Sequence, residues 1–77
     1  MRYFFDVISD RQETRDEEGC ELSSEIQMQS EARRILAEIA EGEARFHSRA
    51  VFTARVRDAR GTPVYHAVLT LEGQRLQ

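Results

Sequence analysis

Lysine is absent from this 77-residue chain, and cysteine and proline occur once each. With Cys20 as the sole thiol, no disulfide can close within the chain, and a lone thiol suits a reducing compartment. Apolar residues never run for more than a few positions, far short of the ~20 that a membrane-spanning helix requires. The chain opens on a strand pattern and lacks a cationic start with an apolar segment behind it, which argues against a secretory signal. The expectation is a soluble cytoplasmic protein without a membrane partner. With lysine missing, every basic side chain is an arginine. A GC-rich genome accounts for that, and so does a need for the planar guanidinium that grips carboxylate or phosphate in pairs of bonds.

What is present points to one small folded domain over residues 1–77. Forty per cent of the residues are apolar, and they recur with clear periods, so a disordered chain is not expected. A chain this short buries only about 60–65% of the surface that its unfolded form exposes, and small domains often add an oligomer interface. Charge is lopsided. Residues 1–44 hold twelve Asp/Glu against five Arg, a net of −7, while residues 45–77 hold six Arg against two Asp/Glu, a net of +4.

The residues predict a β-β-α-β-β order, an α+β fold with one helix on one face of an antiparallel sheet of about four strands. Arg2-Tyr3-Phe4-Phe5-Asp6-Val7-Ile8 reads as a first strand with apolar residues on both faces. Ser9-Asp10-Arg11-Gln12 reads as a turn, and residues 12–16 as a polar edge strand. Gly19 supplies a position where φ can be positive. Ser23 or Ser24 is a candidate N-cap, and with Ser24 as the cap Gln27 completes a capping box. Met28, Ala32, Ile35, Leu36, Ile39 and Ala40 form one helical stripe over about 25–42, ended by Gly42 or extended by another turn. Residues 45–49 are a connector. Residues 50–58 and 64–71 alternate as two strands around an Asp58–Pro63 turn. Setting Asp58 opposite Pro63 matches the Phe52 face with Tyr65, Ala67, Leu69 and Leu71. A bulge at Gly61 would instead match Phe52 with Val68, and the apolar pattern favours the first. Residues 72–77 read as a frayed tail.

The opening Arg2-Tyr3-Phe4-Phe5-Asp6-Val7, the run Arg15-Asp16-Glu17-Glu18-Gly19-Cys20-Glu21-Leu22, the helix with Glu31-Ala32 and the Val56-Arg57-Asp58 step before Gly61 resemble a family of short uncharacterised bacterial proteins, typical of rhizobia and related alphaproteobacteria. The resemblance covers nearly the whole chain and implies a fold and a bacterial origin, with no catalytic residue to carry over. A shorter likeness, through Gly19-Cys20 and Glu31-Ala32, is to the antitoxin domains of the HicB type.

Few residues carry a pattern that chemistry requires. Asp16, Glu17 and Glu18 are the densest carboxylates, yet acid–base work needs environments that push their pKa values apart, and adjacent acids in a turn are usually solvated. They lack the alternation of a calcium loop. Cys20, His47 and His66 are too scattered to form the three or four ligands of a zinc site, so neither a metal nor a cofactor is expected. Cys20 has no neighbouring base and reads as a small buried hydrophobe. Arg55, Arg57 and Arg60 make a basic cluster, with His66 on the same outward face. They suit phosphate contacts or pairing with the carboxylates of residues 1–44. No enzyme is expected. The expected role is a protein-interaction module, a homodimer or a binder of another protein, with Tyr3, Phe4, Phe5, Arg55, Arg57, Arg60 and His66 as its candidate surface. The alternative is an antitoxin-like regulator that touches nucleic acid or a ribonuclease through the Arg55/Arg57 face. The acidic balance weighs against strong non-specific nucleic-acid binding.

Overall fold

Helix α1 (Glu25–Glu43) forms where local signals are most redundant. Ser24 caps it: its Oγ accepts the Gln27 N–H at 3.1 Å, and its carbonyl accepts the Met28 N–H at 3.1 Å. The box closes one residue earlier than expected. Gln27 Oε1 accepts from the Ser23 N–H at 2.9 Å and from the Ser23 hydroxyl at 2.8 Å, so the side chain reaches past the cap. Met28, Ala32, Leu36 and Ala40 are buried along one line, with Ile35 and Ile39 half-buried on its flank. Gly42 does not end the helix. It keeps a negative φ, and the helix continues through Glu43.

The computed structural model describes residues 1–10, 12–43 and 48–77. Arg11 of the first turn, and His47 with most of the expected connector, lie outside them. Around the helix run β1 (Arg2–Ser9), β2 (Glu13–Thr14), β3 (Cys20–Glu21), β4 (Arg49–Arg57) and β5 (Pro63–Glu72). They form one antiparallel sheet in the order β2-β1-β4-β5, with β3 pairing the same edge of β1 as β2. The chain is therefore a small α+β fold, one helix against an antiparallel sheet of about five strands. The extra strand arises because the return expected over residues 12–16 is two short pieces, separated by Arg15–Gly19.

The β4–β5 hairpin takes the expected register, with Phe52 opposite Leu69 and Val56 opposite Tyr65. It then shifts, so that Arg57 faces Pro63 and Val64 is the extra residue. The bulge therefore sits at the start of β5 and not at Gly61. Asp58 organises the turn: its Oδ1 accepts the N–H groups of Arg60 and Thr62 at 2.9 and 3.0 Å, and its carbonyl accepts the Gly61 N–H at 3.0 Å. Gly61 takes φ +87°, a region that residues with a side chain rarely occupy. β5 runs through Glu72, and the Gly73 N–H bonds the Ser48 carbonyl at 2.8 Å, so ordered pairing reaches further than the expected tail.

Strand alternation decides the core. Tyr3 and Phe5 on β1, Ala50, Phe52, Ala54 and Val56 on β4, and half-buried Tyr65, Ala67 and Leu69 on β5 all meet the helix. Phe52 and Val56 are the largest fully buried side chains. Ala32 and Ala54 are fully enclosed as well, and small side chains there let the helix approach the sheet closely.

Candidate interaction surface

Among the described residues the sheet's other face carries no helix. By register it presents Phe4, Asp6 and Ile8 from β1, Thr53, Arg55 and Arg57 from β4, and His66, Val68 and Thr70 from β5. The aromatic block at the chain start is thereby split. Tyr3 and Phe5 are 3% and 6% exposed beneath the helix of their own chain and belong to the core. Phe4 turns the other way and lies half-buried under the Arg57 guanidinium, 4.8 Å from its ring centre. Arg55 is exposed and sits between Asp6 and His66 in the cross-strand pairs. His66 is exposed beside it, and Arg60 is exposed in the hairpin turn. Of the seven residues expected to form a surface, Arg55, Arg60 and His66 are exposed, Phe4 and Arg57 lie half-buried on the helix-free face, and Tyr3 and Phe5 belong to the core.

Arg57 has a different task. Its Nε and Nη2 donate to the two oxygens of Asp6 at 2.8 and 3.2 Å, a bidentate pair, and Nη2 also donates to the Asp16 carbonyl at 2.6 Å. Asp6 is only 5% exposed. Asp16 completes the network. Its Oδ2 accepts the Phe5 N–H at 3.0 Å, and its Oδ1 accepts the N–H groups of Glu18 and Gly19, each at 3.1 Å. Its own N–H donates to Asp6 Oδ1 at 2.9 Å. Side-chain carboxylates thus replace the ladder bonds that a continuous second strand would have made, which is why the return strand breaks into β2 and β3.

The electrostatics follow from those partners. The Arg57 hydrogen bond holds the Asp6 carboxyl below its ordinary pKa, against the opposing pull of burial. Burial pushes Asp16 up, but the N–H groups of Phe5, Gly19 and Glu18 outweigh it and the net shift is downward. Asp6 raises Arg57 in return. Both acids therefore stay ionised with their oxygens engaged, which makes the network a cross-link between β1, the 15–19 loop and β4. No buried side-chain nitrogen or oxygen among the described residues lacks a partner.

Asp16 is therefore not one more solvated acid beside Glu17 and Glu18. Only the latter two are exposed. A signal was present: an Asp three residues before a glycine is a local turn pattern, and Asp6 is a lone acid inside an apolar strand. Gly19 is required on two counts. Its φ is +76°, and a Cβ there would lie 2.9 Å from Phe4 Cε1 and 3.0 Å from the Tyr3 carbonyl. Cys20, opposite Tyr3 in the register, is half-buried against the core.

A further surface feature is strand β5. Its outer side pairs with no strand among the described residues, and from Pro63 to Leu71 it carries no Asp, Glu or Arg. Val64, Val68 and Leu71 are 45%, 56% and 40% exposed. Between this edge and α1 runs an open groove of about 410 Å³, lined by Arg33, Leu36, Ala37, Tyr65, Ala67, Val68 and Leu69. Among the described residues no group of three or more His, Cys, Asp or Glu is placed to hold a metal ion, and no helix is long and apolar enough to cross a membrane.

No curated protein and no solved structure matches this chain. A family model described as a domain of unknown function (DUF6894) does match, over residues 2–70, and with nearly the whole sheet and the entire helix inside that span the chain belongs to this family.

Proposed function

We propose that this chain is a small non-catalytic protein-interaction module that acts as a homodimer in the bacterial cytoplasm. The observation that carries this reading is the open outer side of β5, a ten-residue strand that no strand among the described residues pairs there, with partly exposed valines and an adjoining apolar groove. Long uncharged edges of this kind readily accept another strand, and proteins that do not use them usually blunt them. The commitment of Asp6 and Asp16 to structural bonds supports a role without acid–base chemistry. Sedimentation velocity over a concentration series tests the reading. Self-association toward twice the 8.9 kDa chain mass is expected, and a single-chain mass at every concentration would overturn it.

A second reading, an antitoxin-like regulator contacting nucleic acid or a ribonuclease, draws on the exposed Arg55 and Arg60 and on His66 opposite Arg55. It is the weaker one, because Arg57 spends its guanidinium on Asp6 and Asp16. Retention of single-stranded RNA or duplex DNA at low salt, lost steeply as salt rises, is its expected signature.

A further inference from the structure

We infer that β5 pairs antiparallel with β5 of a second copy about a twofold axis that passes by Ala67 and Ala37, setting the two α1 helices side by side with Arg33 of each facing the partner's Glu41. This rests on the interaction reading above and names its partner and its contacts.

The edge comes first. A twofold interface places one surface against itself, so the surface must be self-complementary. β5 meets that condition because it has no Asp, Glu or Arg between Pro63 and Leu71, so an antiparallel self-pairing centred near its middle opposes no like charges. To keep the apolar face of both sheets on one side, the axis must pass through a residue rather than between two. Ala67 lies at the strand's middle. An axis there sets Tyr65 opposite the partner's Leu69 on the helix side and fills the groove beside Leu36 and Ala37.

The helices then follow from spacing. α1 packs over both β4 and β5. Strands lie about 4.8 Å apart, so a helix centred over that pair stands about 5 Å from the twofold axis and its symmetry mate about 10 Å away, close to ordinary helix packing distance. The twofold makes the two helices antiparallel. The line Arg33–Ala37–Glu41 runs one residue past the buried line Ala32–Leu36–Ala40, and its first two members line the groove on the β5 side. Ala37 at the axis gives clearance. Arg33, four residues before it, comes level with the partner's Glu41, four residues after it, and the contact occurs twice.

The charges are free to do this. Among the described residues neither Arg33 nor Glu41 has an ion-pair partner in its own chain, whereas neighbouring Arg34 is held by Glu31 and Glu38. At the strand's last residue, Glu72 comes level with the partner's 58–62 turn, which carries Arg60.

The test uses two exposed substitutions in the full chain, Arg33→Glu and Glu41→Arg. Each replaces two attractive contacts with two repulsive ones and should raise the dimer dissociation constant roughly tenfold. Mixed together, the two variants regain complementary contacts and should form a heterodimer with near wild-type affinity, read by sedimentation or by native mass spectrometry. Circular dichroism verifies that both are folded. Dimerisation that ignores both substitutions, or variants that weaken but fail to recover on mixing, would overturn this geometry and leave the interaction reading standing. A wild-type chain that stays monomeric removes both.

Discussion

The two edges of this sheet are built on opposite plans. The β1 edge is covered by a return segment rich in charge, split into β2 and β3, and stitched down by Asp16, Asp6 and Arg57. The β5 edge is long, carries no Asp, Glu or Arg before Glu72 at its end, and is unpaired among the described residues. One edge spends polar side chains to close itself, and such bonds are specific because each leaves an unsatisfied buried group if broken. The other keeps its backbone donors and acceptors available.

That contrast can be broken from the guarded side first. Asp6→Ala should have the largest effect, a loss of about 3 kcal/mol in urea denaturation, because it strands the Arg57 guanidinium and the Asp16 N–H in a half-buried site. A loss well under 1 kcal/mol would mean that the network does not hold the edge. Next comes Gly19→Ala, expected to cost about 2 kcal/mol from the positive φ and the approach of Phe4. Asp16→Ala should cost a similar amount, about 2 kcal/mol, and hydrogen exchange should show the loss concentrated at the Phe5 and Gly19 amides.

Acid sharpens the same comparison. Asp6 and Asp16 have folded pKa values below the ordinary 3.8, and Glu31, bonded to Arg34, lies below 4.5. Groups shifted downward contribute stability that is fully present above their unfolded pKa and lost as pH falls through the folded one. The denaturation midpoint should therefore hold steady down to about pH 5 and decline below about pH 4, and in Asp6→Ala the decline should be shallower. The smallest effect belongs to the open edge: Val68→Lys, on the helix-free face, should alter the unfolding free energy of the isolated chain by no more than about 0.5 kcal/mol.

Much of the helix and the hairpin was legible because their signals are local. The four-residue spacing of Met28, Ala32, Leu36 and Ala40, the Ser24 cap, and the matched alternation of Phe52 with Leu69 each lie within one element or one turn. The Asp6–Arg57 pair was not legible. Its members are 51 positions apart, and they meet only because β1 pairs with β4 across the middle of the sheet. The fate of Arg57 shows the same limit, since it shares a strand face with Arg55 yet ends as a half-buried tie while Arg55 stays in solvent. The aromatic start was half readable: alternation separates Phe4 from Tyr3 and Phe5, but nothing in the pattern says which side receives the helix.

The order of these residues by itself determined that there is one helix, where it is capped, and how β4 and β5 align, because periodicity and turn chemistry act between near neighbours. Only the tertiary structure decided that β1 runs between β4 and the broken return segment, that Asp6, Asp16 and Arg57 converge, and that β5 is left at the rim. Strand order joins segments far apart along the chain, and the energy that selects it is burial shared by all of them at once.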